Sequence, residues 1–234
     1  MDSQNVNLAR IERIYNHNAD TRSLLLKTLR GSTVPFRPGQ FLSFLLPIGQ
    51  TTVTRAYTVA SLPDEGTLFE ICLNRVGDGL GSSYLFHRSE SDILQFNGPW
   101  GNFVLDQSED CEQVFIADRT GVVPFRPMIH QALSVAHSCP IRLIYGERDW
   151  TALLYYDEWR SWEERHSRFS FEPVLINNYS DARALMPFIE KHYSVNDGTR
   201  RRFYICGIGK PLLALRDVLR KAEYERTVIK YERW

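Results

Sequence analysis

A chain of 234 residues is long enough for one large domain or two of about a hundred residues each. Its 43% hydrophobic content supports a sizeable core and excludes a disordered chain. Lys+Arg and Asp+Glu both number 28, a formal net charge of +0, which argues against a nucleic acid or an acidic membrane surface as partner. The cysteines Cys72, Cys111, Cys139 and Cys206 and the dispersed histidines provide no close-spaced metal-ligand set, so no metal is expected. The thiols are read as reduced, in a cytoplasmic compartment. The polar start at residues 1–5 leads into no signal-like apolar core, and no apolar run reaches the length of a membrane span; residues 41–46 are only strand-sized.

Residues 6–15 and 22–29 carry strand-like apolar positions, and Pro35-Phe36-Arg37-Pro38-Gly39-Gln40 is a turn cluster. Strands over 40–46, 55–59, 68–74 and 92–97 follow at barrel-like spacing, broken by Pro47, Pro63 and Gly66, which predicts an antiparallel barrel. Within it, Arg55-Ala56-Tyr57-Thr58-Val59-Ala60-Ser61 concentrates chemistry. In an extended chain Arg55, Tyr57, Val59 and Ser61 share one face and Thr58 lies on the other. A cation, a flat ring and hydroxyls suit a ligand with phosphate at one end and an aromatic system at the other. An Arg–Tyr pair on a strand is also an ordinary cross-strand contact.

One helix interrupts the strands. Residues 77–86 open on a glycine-rich turn and run into a helix expected to be capped by Ser82 or Ser83. Glycines there let backbone approach a ligand, and the N–H groups at a helix start attract phosphate. Taken alone, the segment reads as a plain loop with a serine cap.

The second half changes period. Strand-like runs at 114–117, 141–145, 171–176 and 203–206 alternate with helical patterns at 124–137, 156–165, 182–192 and 212–222. That alternation predicts a parallel sheet covered on both faces. The polar stretch 106–112 marks the boundary, giving expected domains 1–107 and 108–234. Trp159 and Trp162 sit at helical spacing and are expected to pack. Arg200-Arg201-Arg202 is expected as a solvated loop.

Several marks occur in one order: Arg-Pro-Gly-Gln-Phe (37–41), Arg-Ala-Tyr-Thr (55–58), Gly-Leu-Gly-Ser (79–82) and Gly-Pro-Trp-Gly-Asn-Phe (98–103). They are followed by Thr-Gly-Val-Val-Pro-Phe (120–125), Tyr-Gly-Glu-Arg (145–148), Cys-Gly (206–207) and Glu-Arg-Trp (232–234). Over nearly its whole length the sequence resembles the ferredoxin–NADP reductase-like flavoproteins, and among them the short bacterial reductases without a fused iron–sulfur or haem domain.

The resemblance implies an FAD-binding β-barrel followed by a Rossmann-like α/β domain that binds NAD(P)H. It assigns Arg55 to the FAD diphosphate, Tyr57 to the flavin ring, and Thr58 to the vicinity of the hydride-accepting nitrogen. Gly79, Leu80, Gly81 and Ser82 would bring the helix start onto the same diphosphate. In the second domain it assigns Thr120 and Gly121 to the nucleotide diphosphate, and Cys206 and Gly207 to the nicotinamide. Glu232 would polarise the region of hydride transfer, and Trp234 would cover the flavin. Simple hydrophobic docking accounts for Trp234 equally well, and burial accounts for Cys206.

The implied activity is transfer of hydride from NAD(P)H to FAD, then of single electrons to a separate ferredoxin-like protein, haem protein or oxygenase component. Two alternatives stay open. One is an FAD-binding electron-transfer subunit with lost or weakened nucleotide turnover. The other is a flavin reductase acting on free flavin, against which the diphosphate elements Arg55 and Gly79–Ser82 speak.

Where the family usually reads Ala-Gly-Gly-Thr-Gly, this chain has Ala117-Asp118-Arg119-Thr120-Gly121. If those positions need positive φ, each side-chain-bearing residue costs about 1–2 kcal/mol. Asp118 would repel a diphosphate and Arg119 would compensate it, so weakened or altered nucleotide affinity is expected. Arg148 and Arg183 are both candidates to meet a 2′-phosphate, and the choice between NADH and NADPH is open.

Overall fold

The computed structural model describes residues 6–233 apart from 30, 32, 64–65, 107, 109, 136–137, 176–181, 208 and 210. Trp234 and His137 lie outside the described residues, as does the side chain of Arg183. The chain divides into two compact units, the first taking in residues up to Val104 together with Arg126–Met128 and the second the rest from Leu105.

The first unit contains β1 (Asn7–Asn16), β2 (Thr21–Thr28), β3 (Phe41–Ile48), β4 (Thr51–Thr58), β5 (Leu68–Asn74), α1 (Leu80–Phe86) and β6 (Ile93–Trp100). The six strands form an antiparallel sheet in the order β4-β3-β6-β1-β2-β5. A bridge between Val59 and Ile71 joins the two ends of that order, so the sheet curls into a nearly closed barrel. Alternation along the strands fills it. Leu42, Phe44 and Leu46 of β3, Leu24 and Leu26 of β2, and Phe69, Ile71 and Leu73 of β5 all point inward. Phe96 ties this core together, 5.8 Å from the Phe44 ring and 5.2 Å from Phe69.

Strand β4 begins four residues earlier than the sequence pattern indicates. Pro47 does not break the hairpin, because β6 pairs with β3 only as far as Leu45 and no ladder donor is needed beyond it. Gly49, at φ +61°, opens the tight turn into β4.

The second unit runs β7 (Glu112–Asp118), α2 (Phe125–Ser134), β8 (Ile141–Glu147), α3 (Tyr156–Arg165), β9 (Phe169–Leu175), α4 (Met186–Tyr193), β10 (Arg201–Gly207), α5 (Pro211–Lys221) and β11 (Ile229–Arg233). Its five strands are all parallel, in the order β11-β10-β7-β8-β9. Every residue of β7 is buried, as a strand in the middle of a doubly covered sheet requires. Val114, Ile116, Phe203 and Ile205 face a cluster that includes Ile189, Leu215 and Leu219. Phe115 faces the other way, stacked on Tyr204 at 4.9 Å and edge-on to Phe125 at 5.1 Å. Trp159 and Trp162 are buried packing residues, as expected from their spacing. None of the described helices is long and apolar enough to cross a membrane.

Two local expectations are corrected, and one strand was not anticipated. Arg201 and Arg202 are strand residues of β10, not loop. Arg201 bonds Glu112 at 2.6 Å, directly across the ladder, and Arg202 bonds the Asp106 carboxylate at 3.1 Å, so both charges are matched where they are buried. The helix expected over 182–192 opens as a 3-10 turn at Ala182–Leu185, and α4 proper starts at Met186. The last strand, β11, is too short and too polar to have stood out as a run; only its pairing with β10 makes it a strand.

Phe44 is fully buried between Tyr57 and Phe96. Phe44→Ala is expected to cost about 3–5 kcal/mol in urea unfolding. Val76→Ala, at a 61% exposed position, is expected to stay within about 0.5 kcal/mol of the parent.

Candidate functional site

In the first unit the candidate residues converge on the end of β4 and the start of α1. Gly81 has no room for a side chain: a Cβ there would lie 2.5 Å from Arg55 Cγ and 3.3 Å from its Cδ. The stem of Arg55 therefore runs over the backbone of the first helical turn. Its guanidinium is exposed and donates to the Thr54 carbonyl at 2.8 Å.

The expected serine cap is not formed. The N-cap of α1 is Gly79, with no side-chain cap bond. Ser82 lies inside the helix, where its hydroxyl accepts from Val76 N–H at 3.0 Å and donates to the Gly79 carbonyl at 3.1 Å. Serine at this depth cannot reach the orphan N–H groups ahead of it, so it fixes the preceding loop instead. Leu80, between them, is 54% exposed.

Tyr57 is half-buried, edge-on to Phe44 at 5.9 Å, and burial pushes its hydroxyl up to about 12, so the ring stays neutral. Thr58 is 3% exposed and its Oγ1 is buried with no hydrogen-bond partner. A buried hydroxyl without a partner costs free energy unless a ligand meets it.

In the second unit the candidates gather at the carboxyl edge of the parallel sheet, where β7, β10 and β11 end side by side. Cys206 is in register with Ala117 on one side and Glu232 on the other. Gly121 packs against the end of β10: a Cβ there would stand 2.1 Å from the Cys206 carbonyl oxygen. Gly207 is held just as closely, its would-be Cβ 2.9 Å from Asp118 Cβ. These approaches bring Thr120, Gly121, Cys206 and Gly207 together. The Cys206 side chain itself is fully buried.

This edge is rich in charge. Asp118 is 1% exposed, with Arg119 Nε 3.9 Å from its carboxylate. Glu147, at the end of β8, has its carboxyl pushed up, first by burial and then by the Asp118 charge, against the pull of Arg148 and Arg119. The Arg148 N–H donates to Glu147 Oε2 at 2.6 Å, while its side chain is exposed. Burial alone pushes Glu232 up to about 7, and its Oε2 has no partner. Arg119 has φ +52°, a left-handed conformation costing about 1–2 kcal/mol for a residue with a Cβ. The position therefore does demand positive φ, and the chain meets it with arginine.

Residues 8–105 match the oxidoreductase FAD-binding domain family and residues 115–215 match the oxidoreductase NAD-binding domain family. The chain belongs to the ferredoxin–NADP reductase-like flavoproteins. It is 26% identical over 207 residues to ferredoxin–NADP reductase B of Sorangium cellulosum, covering 85% of each chain. It is 25% identical over 181 residues to the reductase component of phenol 2-monooxygenase from a Pseudomonas species, covering 74% of this chain and 50% of that one. A cytochrome P450 reductase of Amycolatopsis shares the fold, with a TM-score of 0.83 at 24% identity, covering 97% of this chain and 69% of that chain. The chain thus spans most of the first relative and half of the oxygenase component. This reductase carries an FAD-binding domain followed by an NAD-binding domain and is an NAD(P)H-dependent flavoprotein oxidoreductase.

The residues present fit FAD. They offer an exposed arginine whose stem lies over a glycine-lined helix start, a neutral aromatic ring, and a buried hydroxyl lacking a partner. The nucleotide edge fits at Thr120, Gly121 and Gly207 and departs at Asp118 and Arg119. Sequence reasoning quoted Glu147 only as part of a motif and missed its burial. Its place directly after a strand-like run, beside another strand ending in an acid, was the available signal.

Gly81→Val would push the Arg55 stem off the helix start. The purified variant is expected to retain less FAD than the parent, read from visible absorbance per mole of protein. Glu232 binds its proton more tightly folded than unfolded, so its contribution is full below about 4.5 and is lost as pH rises through about 7. Glu232→Gln is expected to flatten the fall in Tm across that window.

Proposed function

We propose that this reductase takes hydride from NAD(P)H onto FAD and passes single electrons to a separate redox protein, either a ferredoxin-like carrier or an oxygenase component. The observation that carries the flavin half is the seat of Arg55 on Gly81. Because the Arg55 stem lies over the first turn of α1, its guanidinium and the helix-start N–H groups would act on one phosphate group. Arg55 and Gly79–Gly81 would hold the diphosphate, with Ser82 fixing the loop. Tyr57 would pack against the flavin ring and Thr58 would donate its otherwise unmatched hydroxyl to it.

FAD, when bound, supplies the two-electron acceptance and one-electron release that no side chain here performs. The protein's part is to hold nicotinamide and flavin in a reactive arrangement, with Thr120, Gly121 and Gly207 placing the nucleotide. Glu232, whose carboxyl titrates near neutrality, is suited to hold or release a proton at Oε2 beside the Cys206–Gly207 strand end. The electron acceptor is read from the relatives, two of which are named as reductases serving a phenol monooxygenase and a cytochrome P450. The four cysteines are thiols, which supports a reducing, cytoplasmic compartment.

Asp118 favours a second reading, an FAD-binding subunit with weakened nucleotide turnover, because a buried acid at this edge opposes a diphosphate. Anaerobic stopped-flow mixing of the FAD-loaded protein with NADH, and separately with NADPH, distinguishes the two. Flavin bleaching within seconds, followed by reoxidation with a one-electron acceptor, is the expected result. Absence of bleaching with both nucleotides selects the second reading, and protein that stays colourless with added FAD defeats both.

A further inference from the structure

We propose that Arg119 is the residue that binds the diphosphate of the nicotinamide nucleotide, its guanidinium taking the part that a bare glycine backbone plays elsewhere in the family. The inference deepens the nucleotide-binding reading above and rests on it. Three observations carry it, all within the second unit.

The backbone is the first. Arg119 sits at φ +52° on the turn that leaves β7, a conformation glycine adopts without strain. A glycine here would relieve the backbone strain, so the side chain is kept against a conformational cost. Strain of this kind at a sheet's carboxyl edge, where dinucleotides bind in open α/β folds, points to function.

The second is the state of the guanidinium. The side chain is only 20% exposed, yet among the described residues nothing accepts a hydrogen bond from it. Its Nε is buried without a partner, and the Asp118 carboxylate is 3.9 Å away, an ion-pair distance beyond hydrogen-bonding range. A buried Nε–H that forms no hydrogen bond is costly, and the two terminal nitrogens beyond it are left to meet solvent or an anion.

The third is the charge around it. Asp118 and Glu147 are both buried at this edge, and a diphosphate arriving there would meet two acids. Arg119 and Arg148 follow these acids directly, each at the first position past the end of a strand, and both act on Glu147. Arg119 is the one mounted between Asp118 and the Thr120–Gly121 turn. From there it can offset the Asp118 charge and present a fork of donors to phosphate oxygens.

The test uses the full-length FAD-loaded protein and measures Kd by isothermal titration for ADP-ribose, which carries the diphosphate, and for 2′,5′-ADP, which carries the 2′-phosphate without it. Arg119→Gly is expected to bind ADP-ribose about 10- to 100-fold more weakly, the loss for charge-assisted hydrogen bonds. Arg119→Gln, which keeps the stem and loses the charge, should show the same weakening. Unchanged or tighter ADP-ribose binding by Arg119→Gly overturns the proposal and makes the residue a plug. A larger loss for 2′,5′-ADP than for ADP-ribose overturns it too, reassigning the residue to the 2′-phosphate. Parent protein that binds neither ADP-ribose nor NAD(P)H would instead defeat the nucleotide-domain reading itself.

Discussion

Everything proposed for the flavin domain depends on the absence of one carbon atom. Gly81 lies so close to the Arg55 stem that a Cβ would sit 2.5 Å from Cγ, well inside any real contact. Because the helix start and β4 touch here, a charge on a strand and the N–H groups of a separate helix act on the same ligand group. Neither element would suffice alone: α1 is a seven-residue helix, and an exposed arginine on a strand is ordinary. The barrel makes the contact possible by bringing β4 round to β5, which leads into α1. The second unit repeats the device at Gly121, where missing side-chain volume lets the turn after β7 rest on the Cys206 carbonyl.

Much of this was legible in the sequence, for reasons that differ by element. The barrel strands announced themselves by alternation and the parallel strands by short apolar runs, because burial on one face or two imposes those patterns directly. Helix α3 and strand β5 lie where periodicity placed them. The site motifs were legible because a diphosphate and a ring ask for arginine, tyrosine and glycine in recognisable order. What escaped was set by neighbours distant in the chain. Arg201 and Arg202 read as a solvated loop because nothing local reveals that Glu112 and Asp106 wait beside β10. Ser82 read as a helix cap because serine near a helix start usually is one, while the glycine at 79 had already taken that position.

The departure from the family's glycine pattern was visible in the sequence, but its meaning was not. From residue letters alone, Asp118-Arg119 indicates damage to a nucleotide loop. The structure separates the two. Asp118 is a buried acid packed against Gly207, at the edge where an anion would arrive. Arg119 takes on the left-handed backbone that a glycine would have adopted, keeping the turn and adding a cation.

The two ends of the parallel sheet show why that cation differs from the other arginines of the domain. At the amino edge charges are consumed. Arg201 bonds both Glu112 and Asp197, which holds its pKa above the ordinary arginine value, and Arg202 bonds Asp106. Such short, well-directed pairs set these two charges against opposite ones, while Arg142 at the same edge stands 3.9 Å from Glu112 with its Nε unpartnered. At the carboxyl edge Glu232 carries an unmatched oxygen, and Arg119 stands beyond hydrogen-bonding distance of its acid. What sets Arg119 apart from Arg142 is its left-handed backbone and its place at the edge where the strands of an open α/β sheet present their ligand. A strained arginine and an unmatched carboxylate oxygen collected at that edge are best explained as places kept for a ligand.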